Sequence, residues 1–233
     1  MNNKTFKHIA MNELWHDNAI LVHCLALCPL LVMSSSLAKA LGLGLITLVI
    51  LLLSSLLIAL LRPAISASFR LVFYVFISGS LVSIAQLLMQ AFAPQWAKLL
   101  GIFLPLIAVN GLLLMQAEYS AECAAKASVI HSLFAGLGFL LLLMLMGFIR
   151  ELLGTGQLFA DMHHLFGPQA TAWQITIWKN HPGFLSLGLA PGAFIVFALL
   201  LAAKNVFDSK TTKHDATKVD TESRRIRVTG RLA

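Results

Sequence analysis

Few residues in this sequence have the types and spacing to carry redox or metal chemistry. Its thiols are Cys24, Cys28 and Cys123. Cys24 and Cys28 are four positions apart, so in a helix they share a face and both can reach one centre. A buried cysteine is ordinarily a small hydrophobe, however, and spacing alone does not make either one a ligand. Three cysteines, two of them in an apolar run, build no disulfide framework. His23 and His131 also lie in long apolar runs, where an ionisable group is a functional candidate by default. A buried imidazole deprotonates cheaply, so either histidine can serve as a neutral hydrogen-bond donor rather than a proton carrier. Asp161, His163 and His164 have metal-binding side chains, but neighbouring histidines in a loop are usually solvated surface. Arg150 and Glu151, just before Gly154 and Gly156, read first as interfacial charges that stop a helix and open a turn. The alternative is that they order an ion route or a partner contact. There is no phosphate-cradling glycine loop, no Ser/His/Asp constellation and no CxxC iron-sulfur run. No apolar run carries a central Asp or Glu, so no self-contained cation site is visible.

Nearly all these residues must be positioned by membrane helices. Of 233 residues, 58% are hydrophobic and 12% charged, and the mean hydropathy is +0.84. That is too little polar surface to cover a water-soluble globule. A span needs roughly 20 mostly apolar residues, and about six such runs are present. They lie near Asn18 to Leu37, Ala38 to Leu61, Phe69 to Ala93, Lys98 to Gln116, Ser128 to Phe148 and Phe184 to Ala203. The one sizeable connection, Arg150 to Gly183, contains Trp173, Ile175, Ile177 and Trp178. It reads as an amphipathic stretch at the membrane surface rather than a further span. Ala38-Lys39-Ala40 looks like a signal-peptide cleavage site, but the long leader with Glu13 and Asp17 lacks the short basic start such peptides have. The first run therefore stays as a helix.

Charge sets the orientation, because Lys and Arg near span ends stay cytoplasmic. From Lys204 onward, eight basic residues face four acidic ones. With an even number of spans, the N-terminus with Lys4 and Lys7 is cytoplasmic too, as is the Arg62 to Arg70 connection. The expected organisation is a transmembrane domain over residues 1–207 and a basic, partly disordered cytoplasmic tail over 208–233. The stretch from Lys204 onward carries a net +4 of the chain's +7, and the tail has no aromatic interleaving. It reads as a topology anchor rather than a nucleic-acid surface.

Two runs contain a proline: Leu27-Cys28-Pro29-Leu30 in the first and Phe103-Leu104-Pro105-Leu106 in the fourth. Proline removes a helical hydrogen bond, and freed backbone groups are tolerated at membrane depth only where protein or a cavity satisfies them. Both breaks are expected to face inward. They fall in corresponding places in a front and a rear trio of helices, the pattern of a three-plus-three repeat with a midplane site. Cys28 lies beside the first, and Asn110 with Gly111 beside the second.

At these residues the sequence resembles the E-type subunits of the Rnf (Rsx) membrane electron-transport complexes. More distantly, it resembles the D-type subunits of the sodium-translocating NADH:quinone reductases. The resemblance runs nearly the whole chain. It is carried by Leu14-Trp15 with Asp17-Asn18, Leu27-Cys28-Pro29-Leu30-Leu31, Ala40-Leu41-Gly42-Leu43-Gly44 and Leu100-Gly101-Ile102-Phe103-Leu104-Pro105-Leu106-Ile107. Further on come Ala117-Glu118, Arg150-Glu151-Leu152-Leu153-Gly154 with Gly156 and Leu158-Phe159, and Pro191-Gly192-Ala193-Phe194. The Cys28 and Pro191 segments look like the Rnf version.

The resemblance implies an all-α integral membrane fold of about six transmembrane helices, in a 3+3 inverted repeat with helices 1 and 4 broken. It implies a multi-pass protein of the bacterial inner membrane, surrounded by lipid and paired with a homologous A-type Rnf subunit of opposite orientation. The other Rnf components, of types B, C, D and G, complete the complex. Between the pair the family holds a [2Fe-2S] cluster, with two cysteines from each, in an assembly coupling electron transfer between NADH and ferredoxin to Na+ or H+ movement. Cys28 matches the family's first cysteine, which makes it the expected metal and cofactor ligand. The second should follow Asn110, where this chain has Gly111, and glycine cannot ligate iron. Cys24 is the possible substitute within the chain. The chain by itself is not expected to bind NADH or ferredoxin, nor to be catalytic alone. The alternatives are half of a secondary transporter or channel, since paired broken helices also describe transporters, and a cofactor-free scaffold component of the same complex.

Overall fold

The computed structural model describes residues 26–62, 69–101, 103–159, 162, 175–176, 188–189 and 191–206. In chain order the helices are α1 (Leu27–Met33), α2 (Leu37–Leu61), α3 (Arg70–Phe92), α4 (Pro94–Leu100), α5 (Phe103–Leu106), α6 (Gly111–Glu122), α7 (Ala125–Thr155) and α8 (Pro191–Val206). A 3-10 turn over Ile107–Val109 lies between α5 and α6. Gln157–Leu158 pairs antiparallel with Ile175–Thr176, a two-residue ladder inside the long connection. The described chain is otherwise helical, and it is an all-α integral membrane protein.

Among the described residues, three helices are long and apolar enough to cross a bilayer: α2 with 25 residues, α3 with 23 and α7 with 31. At 1.5 Å per residue even α3 reaches about 34 Å, more than the hydrocarbon core. The fourth run is a bent pair: Pro94–Leu100 and Phe103–Ala121 meet at 67°. Gly101, with φ 49°, turns the chain there, in a region that suits a residue without Cβ. The expected first run lies largely outside the described residues, which hold only its end, α1. The last run appears as the shorter α8.

The break positions differ from the sequence expectation for a clear reason. Pro29 and Pro105 do not interrupt helices; each is the third residue of a short one, α1 and α5. Proline in a first turn removes no bond, since the opening N–H groups of a helix have no intrahelical partner. Pro94 and Pro191 likewise open α4 and α8. The interruptions sit beside the prolines: left-handed Ala26 (φ 63°) before α1, Ser34 to Ser36 after it, and Gly101 and Asn110 around α5.

The seam between α2 and α7 organises the fold. Glycines on both helices let the backbones approach, as small residues do in membrane interiors. A Cβ on Gly44 would lie 3.2 Å from Leu140 Cγ, one on Gly136 3.3 Å from Leu48 Cγ, and one on Gly147 3.1 Å from Ala40 Cβ. Rising numbers on α2 meet falling numbers on α7, so the pair is antiparallel. Leu43, Ile50 and Leu51 of α2 and Phe139, Leu143 and Met146 of α7 are buried in this layer. At the far end of α2, Ile58 packs with Tyr74 of α3 and with Ala117 and Ala121 of α6. Helix α3 is the least buried of the spans and exposes Phe76, Leu87 and Phe92. Such a face is stable where acyl chains replace water.

The expected end of the fifth run at Phe148 is corrected, since α7 continues through Arg150 and Glu151 to Thr155. It stops at Gly156, whose φ of 66° makes a left-handed C-cap. The chain divides into two compact units, residues 1–194 and 195–233. The first holds α1 to α7, and the described part of the second is the greater part of α8.

Candidate functional site

Cys28 is the second residue of α1 and its side chain is exposed. It follows left-handed Ala26, whose carbonyl accepts the first helical bond, from Leu30 N–H at 3.3 Å. The thiol thus stands in the opening turn of a short helix that starts at a break. Gly111 occupies a comparable place as the first residue of α6. Asn110 caps that helix, its Oδ1 accepting from Leu112 N–H at 3.2 Å, while its buried Nδ2 has no partner among the described residues. Cys24, His23, Asp161, His163, His164, Trp173 and Trp178 lie outside the described residues.

Cys123 is the C-cap of α6 and is partly exposed. His131 Nδ1 lies 3.1 Å from Gln116 Oε1, and its ring stacks on Tyr119 at 3.8 Å. Ser132 donates to the same Gln116 oxygen, and Ser128 donates to Ser120 Oγ at 2.6 Å. This polar seam joins α6 to α7, and Gln116 Nε2 is buried in it without a partner among the described residues.

Arg150 and Glu151, near the end of α7, are buried inside the protein. They are 1% and 2% exposed, and each is committed to backbone at the break. Arg150 Nη1 donates to Leu31 O at 2.8 Å and Ser34 Oγ at 2.7 Å, while Nη2 donates to Gly188 O at 2.9 Å and Leu189 O at 3.0 Å. It therefore takes up a carbonyl that the end of α1 leaves without a helical partner and ties it to the turn before α8. Glu151 Oε2 accepts from Leu37 N–H at 2.7 Å, the first amide of α2. Ser36 stands at the capping position but makes no side-chain cap, and its buried Oγ has no partner among the described residues. The distant carboxylate does that work. A cation at a helix C-terminus and an anion at a helix N-terminus both match the helix dipole. Two consecutive residues of α7 thus brace both sides of one break.

Among the described residues, no group of three or more His, Cys, Asp or Glu converges to hold a metal. Cys28 is exposed and Gly111 carries no donor. These residues fit one edge of a thiolate-ligated centre completed from elsewhere; by themselves they do not fit a closed four-ligand site. Sequence reasoning marks Cys28 and Asn110. It misses the bracing role of the Arg150-Glu151 pair, for which the local signal is two charges next to an apolar run.

Residues 6–201 match the profile described as an Rnf-Nqr subunit, membrane protein. A Cellvibrio japonicus protein, named as the E component of an ion-translocating oxidoreductase complex, is 42% identical over 238 residues, with all of both chains covered. A Pseudomonas aeruginosa protein of the same name is 43% identical over 99% of each chain. One from Shewanella oneidensis is 41% identical over 96% of this chain and 97% of its own.

Proposed function

The chain belongs to the Rnf-Nqr family of membrane subunits, and on that premise we propose that it is the E-type component of an Rnf complex in the bacterial inner membrane. That complex couples electron transfer between NADH and ferredoxin to Na+ or H+ translocation. Cys28 supplies a thiolate to a [2Fe-2S] cluster shared with a homologous A-type component of inverted topology, and those of types B, C, D and G complete the assembly. When bound, the cluster supplies a one-electron relay. The observation that carries this reading is the exposed Cys28 thiol in the opening turn of α1, in a chain whose full-length relatives are named as parts of an ion-translocating oxidoreductase complex. Exposure to a second chain is what a shared centre requires. Gly111 brings no donor, so Cys24 is this chain's candidate for a second thiolate. The remaining work of the chain is to bind its partner and hold Cys28 at the break.

Purifying the complex tests this. Iron that co-purifies with the chain and its homologous partner, with absorbance that bleaches on reduction, is the expected result. A pair free of iron and silent to reductant overturns it and leaves a transporter half or a scaffold. For topology, both termini are cytoplasmic, because the basic excess of the tail resists translocation. A reporter enzyme active only in the periplasm should be silent when fused after Lys204 and active when inserted within 150–183. The reverse pattern overturns the orientation.

A further inference from the structure

We propose that Arg150 is the positioning residue for Cys28: it fixes the far end of the short helix that carries the thiol and sets the electrostatic potential there. The inference rests on the reading of Cys28 as a cluster ligand and deepens it.

Helix α1 has seven residues, Leu27 to Met33, too few to hold its own geometry without tertiary support. It is flanked by irregular backbone on both sides, left-handed Ala26 before it and the Ser34-Ser35-Ser36 stretch after it. Cys28 stands in its first turn. Leu31, three residues on, lies on the adjoining turn, about 5 to 6 Å away by helical geometry. It is Leu31 O that accepts from Arg150 Nη1, and Ser34 Oγ, just past the helix end, accepts from the same nitrogen. The other arm of the guanidinium holds Gly188 O and Leu189 O. The planar fork therefore locks α1 to two further segments, and it does so from α7, the most buried of the spans. Glu151, the next residue, fixes the start of α2 through Leu37 N–H, so the Ser34 to Ser36 break is held from both ends. The exposed face of α1 is left for the thiol, and the buried residues Pro29, Leu30, Leu31 and Met33 seat the rest.

Two consequences follow for a cluster at Cys28. A change in the seat of α1 moves the sulfur relative to the partner's ligands, which alters the electronic environment of the iron. A buried cation within about two helical turns also favours the more negative, reduced form, so removing it lowers the midpoint potential. Lysine keeps the charge but has a single nitrogen, which cannot reproduce the fork. Glutamine keeps some hydrogen bonding and loses the charge.

The experiment is a redox titration of the purified complex followed by the electron paramagnetic resonance of the reduced cluster, with iron measured in parallel. Arg150→Gln is expected to lower the reduced-to-oxidised ratio at the wild-type midpoint about tenfold, which is about 59 mV for a one-electron couple. Arg150→Lys is expected to change the line shape with a smaller displacement of the midpoint. Should both variants fail to accumulate, Ser34→Ala, which keeps the charge and deletes one acceptor of the fork, carries the test, with a changed line shape as the expected result. Gly136→Val, which crowds the α2–α7 seam at Leu48, eleven positions along α2 from its start, is expected to keep the wild-type midpoint. An unchanged midpoint and line shape in the Arg150 variants, or in Ser34→Ala if only it assembles, overturns the proposal, as does an equal displacement in Gly136→Val. A wild-type complex with no cluster signal instead overturns the reading of Cys28 itself, so the two failures are distinct.

Discussion

In the purified complex, Cys28→Ser is expected to abolish both the electron paramagnetic resonance signal of the reduced cluster and the iron assigned to it, while Cys123→Ser changes neither. The two cysteines differ in placement as well as in number. Cys28 is exposed in the opening turn of α1. Cys123 closes α6 at the short connection to α7, at the opposite end of that helix from Asn110. Clusters of this type are held by thiolates, and serine offers a hard, protonated oxygen in place of a soft thiolate. Gly111 supplies no donor, and among the described residues no group of three or more His, Cys, Asp or Glu converges to cover the loss. Cys24→Ser separates the remaining possibilities: loss of signal makes it the second ligand, and retention leaves that thiolate to the partner. Full signal and full electron-transfer rate in Cys28→Ser would sink the proposed site.

A comparable loss, this time of the folded chain, is expected from Gly147→Leu. Even a single Cβ at Gly147 would sit 3.1 Å from Ala40 Cβ and 3.4 Å from Leu37 Cα and Ser36 O. The last two are backbone atoms at the start of α2, where Glu151 also binds, so they cannot swing aside as a flexible side chain would. A leucine adds three further carbons in that space. Overpacking of this kind costs about 3 kcal/mol, and separating α7 from α2 also strains the Glu151 bond to Leu37 N–H. The measurement is the yield of full-length protein in membranes, together with its melting temperature in detergent. Gly79→Leu on α3 is the comparison, because a Cβ there meets nothing within 4 Å. Equal stability of the two variants would show that the α2–α7 approach does not organise the fold.

Much of this protein is legible in one dimension. Hydropathy along the chain marks α2, α3 and α7 as spans because crossing a bilayer is a local demand on consecutive residues. The ordered short motifs from Leu14 to Phe194 point to the family over the whole chain. The prolines mark the right neighbourhoods, but their role is inverted. Whether Pro29 costs a hydrogen bond depends on where its helix begins, and left-handed Ala26 puts that start two residues before it rather than a turn or more earlier.

Composition and ordered motifs are enough to read the membrane class, the family, the neighbourhood of both breaks and the place of Cys28. What braces the end of the helix that carries Cys28 emerges only in the folded chain. Arg150 and Leu31 are 119 positions apart, and Glu151 and Leu37 are 114 apart. As residue types beside an apolar run, the two charges look like any helix stop. In the folded chain they are buried, and a buried charge is tolerable only when oppositely polarised groups surround it. The groups available are the open ends of α1 and α2. Sequence separation carries no information about such pairings, because electrostatic energy depends on distance in space and on local dielectric, and folding sets both.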